Sequence, residues 1–182
     1  MKKYRILFDE IYSQGNLHRI QALKNFDDVH KGDIGGFIEN ESNLSQKGNC
    51  WIYDDAIVKN KAKVMKNAKI YNNAKIYGFA EVSNNVIISN NAEIFETAKI
   101  YNDVQIRNNV KVYGEAIIKD FSIILDNCEI YGDCQISKLS LIKDNSYIGG
   151  NVIISNCIIC NCHINENNTI NNKYLINKDI FI

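Results

Sequence analysis

Every sixth residue from Ile52 to Ile154 is isoleucine or valine, 18 positions in succession without a break. Two residues before each stands a small or short side chain: Ala56, Ala62 and Ala68 in the first circuits, Val104 and Val110 in the middle, Ser140 and Ser146 later. A period of six is carried by neither one helix nor one long strand. It requires a short strand, a corner, and repetition. In Ala68-Lys69-Ile70-Tyr71-Asn72-Asn73 the small and aliphatic residues alternate with Lys69, so both face inward. The last two positions are mostly Asn, Asp or Gly, which accept the positive φ of tight corners. Three such edges close one triangular circuit, so a circuit is three hexads long.

The longer, three-hexad period is visible in the outward positions. Asn73, Asn91, Asn109, Asn127 and Asn145 recur at one corner, and Gly78, Gly114, Gly132 and Gly150 at another, with Glu96 interrupting the glycines. One outer row reads Tyr77, Phe95, Tyr113, Tyr131, and the row beside it Lys75, Glu93, Lys111, Glu129. Side chains one circuit apart are therefore expected to lie above one another, so that Asn ladders and aromatic stacks form along the axis. The hexads make six full circuits, and weaker flanking hexads extend this to about seven.

Both ends of such a stack need covering. Residues 1–36 are expected to form a hairpin cap, with strands around Lys3–Phe8 and His18–Leu23, a turn at Ser13-Gln14-Gly15-Asn16, and Gly32–Gly36 leading into the first circuit. Residues 37–170 form the coil. Beyond Ile154 the pattern decays. The unbroken frame puts Cys160 and Glu166 at the aliphatic position and Ile158, Ile164 and Ile170 at the small one. Residues 171–182 are expected to end the chain as a cap strand, Tyr174-Leu175-Ile176 to Ile180-Phe181-Ile182.

Composition narrows the partners. Lys plus Arg and Asp plus Glu number 21 each, so no basic excess points to nucleic acid or an anionic membrane. No apolar run approaches the roughly 20 residues of a membrane span, and the basic N-terminus has no h-region of a signal peptide. A bacterial-type or phage-infected cytoplasm is expected, with the six cysteines reduced.

The hexad resembles the repeat of left-handed parallel β-helices found in many acyltransferases, and that resemblance implies the left hand. One departure is that the usual glycine after the aliphatic residue is here Tyr, Ser, Lys or Met. A second resemblance rests on Arg19-Ile20-Gln21-Ala22-Leu23, Gly32-Asp33-Ile34-Gly35-Gly36-Phe37-Ile38-Glu39, Asn43-Leu44-Ser45 and Gly48-Asn49-Cys50-Trp51-Ile52-Tyr53. These look like a group of hexapeptide-repeat proteins from enterobacteria, phages and prophages, some of which carry a transferase label. That label reflects the fold and names no substrate.

Acyltransferases of this fold typically use a histidine base and a loop thrown out from a corner. The histidines here are His18, His30 and His163, and no insertion breaks the frame between residues 50 and 154. His163 is the one catalytic candidate. Cys157, Cys160, Cys162 and His163 are a candidate zinc or redox cluster, set against capping cysteines that merely fill space. No cofactor is otherwise expected, and there is no phosphate-binding glycine loop.

Outward rows are the stronger binding candidates. Ile87, Gln105, Ile123, Leu141 and Ile159 make an apolar stripe, and Tyr77, Phe95, Tyr113 and Tyr131 an aromatic one. Each also has a structural reading, as strand formers or as a self-stabilising stack. The leading expectation is a non-enzymatic interaction module on a rigid β-helix, binding another protein or itself as a homodimer or homotrimer. One form of it is a phage accessory protein that blocks a host defence protein. The alternative is an acyltransferase-like enzyme that uses acyl-CoA.

Overall fold

The computed structural model describes residues 2–12, 16–165 and 167–180, with backbone alone for residues 9–12. The Ser13–Gly15 part of the expected turn, Glu166, Phe181 and Ile182 lie outside the described residues.

The chain is all-β and winds as a three-sided parallel coil. Strands of two to four residues stack on three faces, and among the described residues the face that starts at Trp51–Ile52 holds 8 strands, one per circuit. That is one circuit more than the hexads alone suggest. Partners in the regular part lie three hexads apart: Lys69 beside Ile87, Ile87 beside Gln105, Gln105 beside Ile123. The aliphatic hexad residues from Ile52 to Ile154 are all fully buried, and so are the small residues before them. The core is thus a continuous column of Ile and Val against Ala, Val, Ser and Cys. A single circuit cannot close such a column by itself, so its stability comes from its neighbours.

Corners are made by left-handed residues. Asn72, Asn90, Asn102, Asn108 and Asp126 have φ between 59 and 69°. Asn and Asp accept this region because their short polar side chains bond locally. The expected ladders are present: Asn91 donates to Asn109 at 3.1 Å, Asn109 to Asn127 at 2.9 Å and Asn127 to Asn145 at 3.1 Å. Glu96, the residue that interrupts the glycines, also takes a positive φ of 55°, and its carboxylate accepts from the Gly114 N–H at 2.9 Å.

The N-terminal cap has three antiparallel strands, β1 (Tyr4–Tyr12), β2 (Leu17–Ala22) and β3 (Ile34–Ile38). β3 then pairs parallel with Ile57–Val58 and so joins the cap to one face of the coil. Gly36 is required at this junction, because a Cβ there would lie 2.5 Å from the Ala56 carbonyl and 2.6 Å from Ile52. One short 3-10 turn, Glu41–Asn43, is capped by the Asn40 side chain, which accepts from the Ser42 N–H. No helix among the described residues is long and apolar enough to cross a membrane.

Side chains of the cap replace the hydrogen bonds that a preceding circuit would supply. Carbonyls at the start of each circuit accept from the circuit before, as Ala68 does from Trp51. In the first circuit Lys3 donates instead to Cys50 O at 2.8 Å, Tyr4 to Leu44 O at 2.6 Å and Arg19 to Asp54 O at 2.8 Å. The buried Cys50 and Leu44 carbonyls, and the exposed one of Asp54, thereby gain donors at an edge that would otherwise lack them.

The far end departs from the expected frame. After Ile154 the inward aliphatic residues are Ile159, Ile164, Ile170, Leu175 and Ile180, so most steps are shortened from six positions to five. Each shortened corner passes through one left-handed residue, Asn156, Asn161, Asn172 or Asn177, and has lost the residue after it. Circuits contract accordingly. Leu141 pairs with Ile158 where an unbroken frame would offer Ile159, and Tyr147 pairs with His163 where it would offer Asn165. Cys160 does not hold the aliphatic position, and neither Ile158, Ile164 nor Ile170 holds the small one. The expected single cap strand is corrected too. Tyr174–Ile176 and Asp179–Ile180 lie on two different faces, each parallel to the circuit before, so the coil continues past residue 170.

Candidate functional site

The shortened steps change the apolar stripe. Ile87, Gln105, Ile123 and Leu141 point outward on one face, all half-buried. Ile159 does not join them. It is fully buried, and Ile158 takes the outward place with Tyr174 beyond it. The row that exists is Ile87, Gln105, Ile123, Leu141, Ile158, Tyr174.

At the corner preceding this face the sequence reading missed two residues. Phe121 and Leu139 occupy a position that is polar in most hexads, yet they are 57% and 68% exposed. Both lie in the left-handed region, at φ 62 and 58°. Asn102–Asp103, Asp120–Phe121 and Lys138–Leu139 are successive left-handed pairs at this one corner. A bulky side chain there is disfavoured by roughly 1–2 kcal/mol, and exposure returns nothing for it. Phe121 and Leu139 adjoin Ile123 and Leu141 along the chain, so corner and face form one apolar surface. Its lower part is a shallow cleft of about 360 Å³ lined by Leu139, Asn156, Cys157, Ile158, Lys173 and Tyr174.

The aromatic row is a stack. Ring centroids of Tyr77, Phe95, Tyr113 and Tyr131 follow at 4.9, 4.7 and 5.5 Å, nearly parallel. Lys59 lies over Tyr77 at one end, with its ammonium 5.6 Å from the ring centre. At the other end Tyr131 covers Gly149, where a Cβ would fall 2.0 Å from the ring. The hydroxyls of Tyr77 and Tyr113 donate to Glu93 at 3.3 Å and Glu129 at 2.5 Å. Burial, and then the Glu93 carboxylate, push Tyr77 up to about 12. Burial and the bond to Glu129 raise Tyr113 as well. The four rings are engaged with each other, and Tyr77 and Tyr113 also with carboxylates, which favours the structural reading of the row.

The Cys/His cluster is split. Cys157 and Cys162 fill the small inward position, with Sγ 3.2 Å from Ser155 O and from Cys160 O respectively. Cys160 follows the inward Ile159, so it points to the other side of its strand, though it is still buried. Burial raises its thiol. Among the described residues no three His, Cys, Asp or Glu side chains converge as metal ligands. Cys128 and Cys134 fill the same inward position in earlier circuits, and burial pushes their thiols up to about 12 and about 11. At neutral pH both are protonated and poor nucleophiles.

The histidines do not converge. His18 belongs to β2, beside Phe8 at 4.9 Å, and its Nδ1 is buried without a hydrogen-bond partner. His30 is exposed near Asp33. His163 lies on the outer row of the charged face, between Tyr147 and Asp179 in register. Its ring meets Tyr147 edge-on at 5.8 Å, beside a shallow cleft of about 390 Å³.

No family model matches the chain. Over 63 residues it is 41% identical to the uncharacterized acetyltransferase YdcK of Escherichia coli (strain K12). The match covers 30% of this chain and 19% of that protein, so the chain spans about a fifth of the relative's length. Coil geometry and this match agree in supporting the likeness to hexapeptide-repeat, left-handed β-helix proteins that carry transferase names.

Proposed function

We propose that this chain is a non-enzymatic β-helical interaction module. It docks a protein, either another chain or a second copy of itself, on the corner of Phe121 and Leu139 and the row Ile123, Leu141, Ile158 beside it. One observation carries this reading. Two bulky apolar residues occupy left-handed corners and project into water, where Asn or Asp would be better tolerated. Residues kept in locally unfavourable states point to use rather than to stability. Apolar side chains at such tips gain what the isolated chain cannot give them when a partner covers them. The phage-like sequence features extend the proposal to an accessory protein that blocks a host protein in the cytoplasm.

The test is Ile123→Asp together with Leu141→Asp, assayed by sedimentation for self-association and by capture from a host lysate. Wild type is expected to assemble or to retain one defined partner, and the variant to lose it with its circular dichroism unchanged. Assembly and capture that survive both substitutions would remove this surface from consideration.

A second reading, acyl transfer, is favoured by the name of the matched relative and by the row Tyr147, His163, Asp179. In it His163 would act as general base, with Asp179 on the neighbouring strand. Calorimetry with acetyl-CoA separates the two readings. Saturable binding that weakens in His163→Ala favours the enzyme, and no heat at millimolar acetyl-CoA favours the module.

A further inference from the structure

The six cysteines are all free and buried, yet one differs from the rest. Cys50 Sγ lies 3.2 Å from the Nζ of Lys3, whereas the sulfur contacts of Cys128, Cys134, Cys157 and Cys162 are backbone carbonyls. Lys3 is only 1% exposed. Among the described residues no carboxylate is paired with it. Its amine reaches Cys50 O at 2.8 Å, Gly48 O at 3.4 Å and the Phe26 ring at 5.2 Å. A buried amine with no counter-ion among the described residues is held against a thiol by the packing of β1 over the first circuit.

We propose that Lys3 and Cys50 are a peroxide-dependent cross-linking site, in which the lysine nitrogen captures the oxidised cysteine sulfur as a sulfenamide. In the first step hydrogen peroxide oxidises the sulfur. The O–O bond breaks, an S–O bond forms, and the products are the Cys50 sulfenic acid and one water. In the second step the Lys3 amine attacks that sulfur. An S–N bond forms, the S–O bond breaks, and the departing hydroxide takes an amine proton to leave as a second water. One peroxide is consumed, and the protein ends two hydrogens lighter.

The surroundings suit the second step. Desolvation lowers the Lys3 pKa, which raises the share of neutral, nucleophilic amine. Burial raises the Cys50 thiol, with Lys3 opposing that rise, so the first step is slow and answers sustained rather than brief oxidation. Peroxide is close to water in size, and it enters as the terminal strand opens locally. The product ties the start of β1 to the first circuit and closes the loop between Lys3 and Cys50. Dithiothreitol reverses it, because a thiol displaces the nitrogen. This site is independent of the docking surface, which lies at the other half of the coil.

The experiment treats the folded full chain with hydrogen peroxide, alkylates it, digests it and maps peptides by mass spectrometry. A peptide containing Lys3 joined to one containing Cys50 is expected, two hydrogens lighter than their sum and released by dithiothreitol. The same treatment in urea should give no such peptide, which controls for chance reaction without requiring a variant to fold. Lys3→Arg should abolish the joined peptide. Cys50 recovered as free thiol, or as sulfinic or sulfonic acid with Lys3 unmodified, would overturn the proposal.

Discussion

One corner of the coil is built twice from different residues. In the earlier circuits it carries Asn67, Asn85 and Asp103, joined by side-chain hydrogen bonds of 3.0 and 2.9 Å. In the later circuits the same positions carry Phe121 and Leu139, which stand in water with no such ladder. Asn102–Asp103 and Lys138–Leu139 share the same pair of left-handed residues. The backbone therefore does not call for apolar side chains there. At Asn67 and Asn85 only the preceding residue is left-handed, whereas Asp103, Phe121 and Leu139 are left-handed themselves. The neighbouring face differs as well, being Lys69, Ile87 and Gln105 near the first set and Ile123, Leu141 and Ile158 near the second. The difference teaches that circuit geometry and surface chemistry are separable, and that the later circuits present apolar side chains where the earlier ones present a polar ladder.

The largest effect should come from the column beneath both sets. Ile118→Ala removes a fully buried side chain and should cost about 2–5 kcal/mol in urea unfolding. A loss below ~1 kcal/mol would mean that the column is not the source of stability. Next, Lys3→Met leaves Cys50 O and Gly48 O without their donor and should cost about 1–3 kcal/mol. No loss would show that these carbonyls find water, and that the cap does not replace a missing circuit.

The exchange of corner residues sharpens the comparison directly. Asp103→Leu breaks the bond from Asn85 and puts a branched side chain into a left-handed position. It should lower stability by about 1–2 kcal/mol. Leu139→Asp makes the reverse change and should leave stability equal, or higher by up to about 1 kcal/mol. If both substitutions destabilise alike, the two halves of the corner are equivalent and the contrast fails.

The smallest effect is a titration. Tyr77 is held up to about 12 in the folded chain, against about 10 in an unfolded one. Between those values the folded state binds more protons than the unfolded state, so stability falls as pH rises from about 10 to about 12. Tyr77→Phe should flatten that fall, measured by chemical denaturation at each pH. An unchanged slope would show that neither burial nor Glu93 holds Tyr77 up.

Much of this was legible in the sequence because Ile and Val recur at six without a break, a pattern that neither one helix nor one long strand buries. The Asn ladders and the Tyr77 stack followed from the three-hexad period. The shortened steps did not. From Val152 to Ile164 isoleucine or cysteine falls in every hexad phase except that of Ser155 and Asn161, so Ile158 and Ile159 were equally good inward candidates. Only pairing with Leu141 and Ile142 decides between them. Phe121 and Leu139 did leave a signal, an apolar residue in the last hexad position. Its meaning depends on φ and exposure, which periodicity does not report.

The most direct measurement is urea unfolding of Leu139→Asp beside its self-association and partner capture in sedimentation and pull-down. A corner kept for docking predicts an unfolding midpoint equal to or above wild type, together with loss of the association. A lower midpoint with association intact would show that Leu139 serves the coil and not a partner.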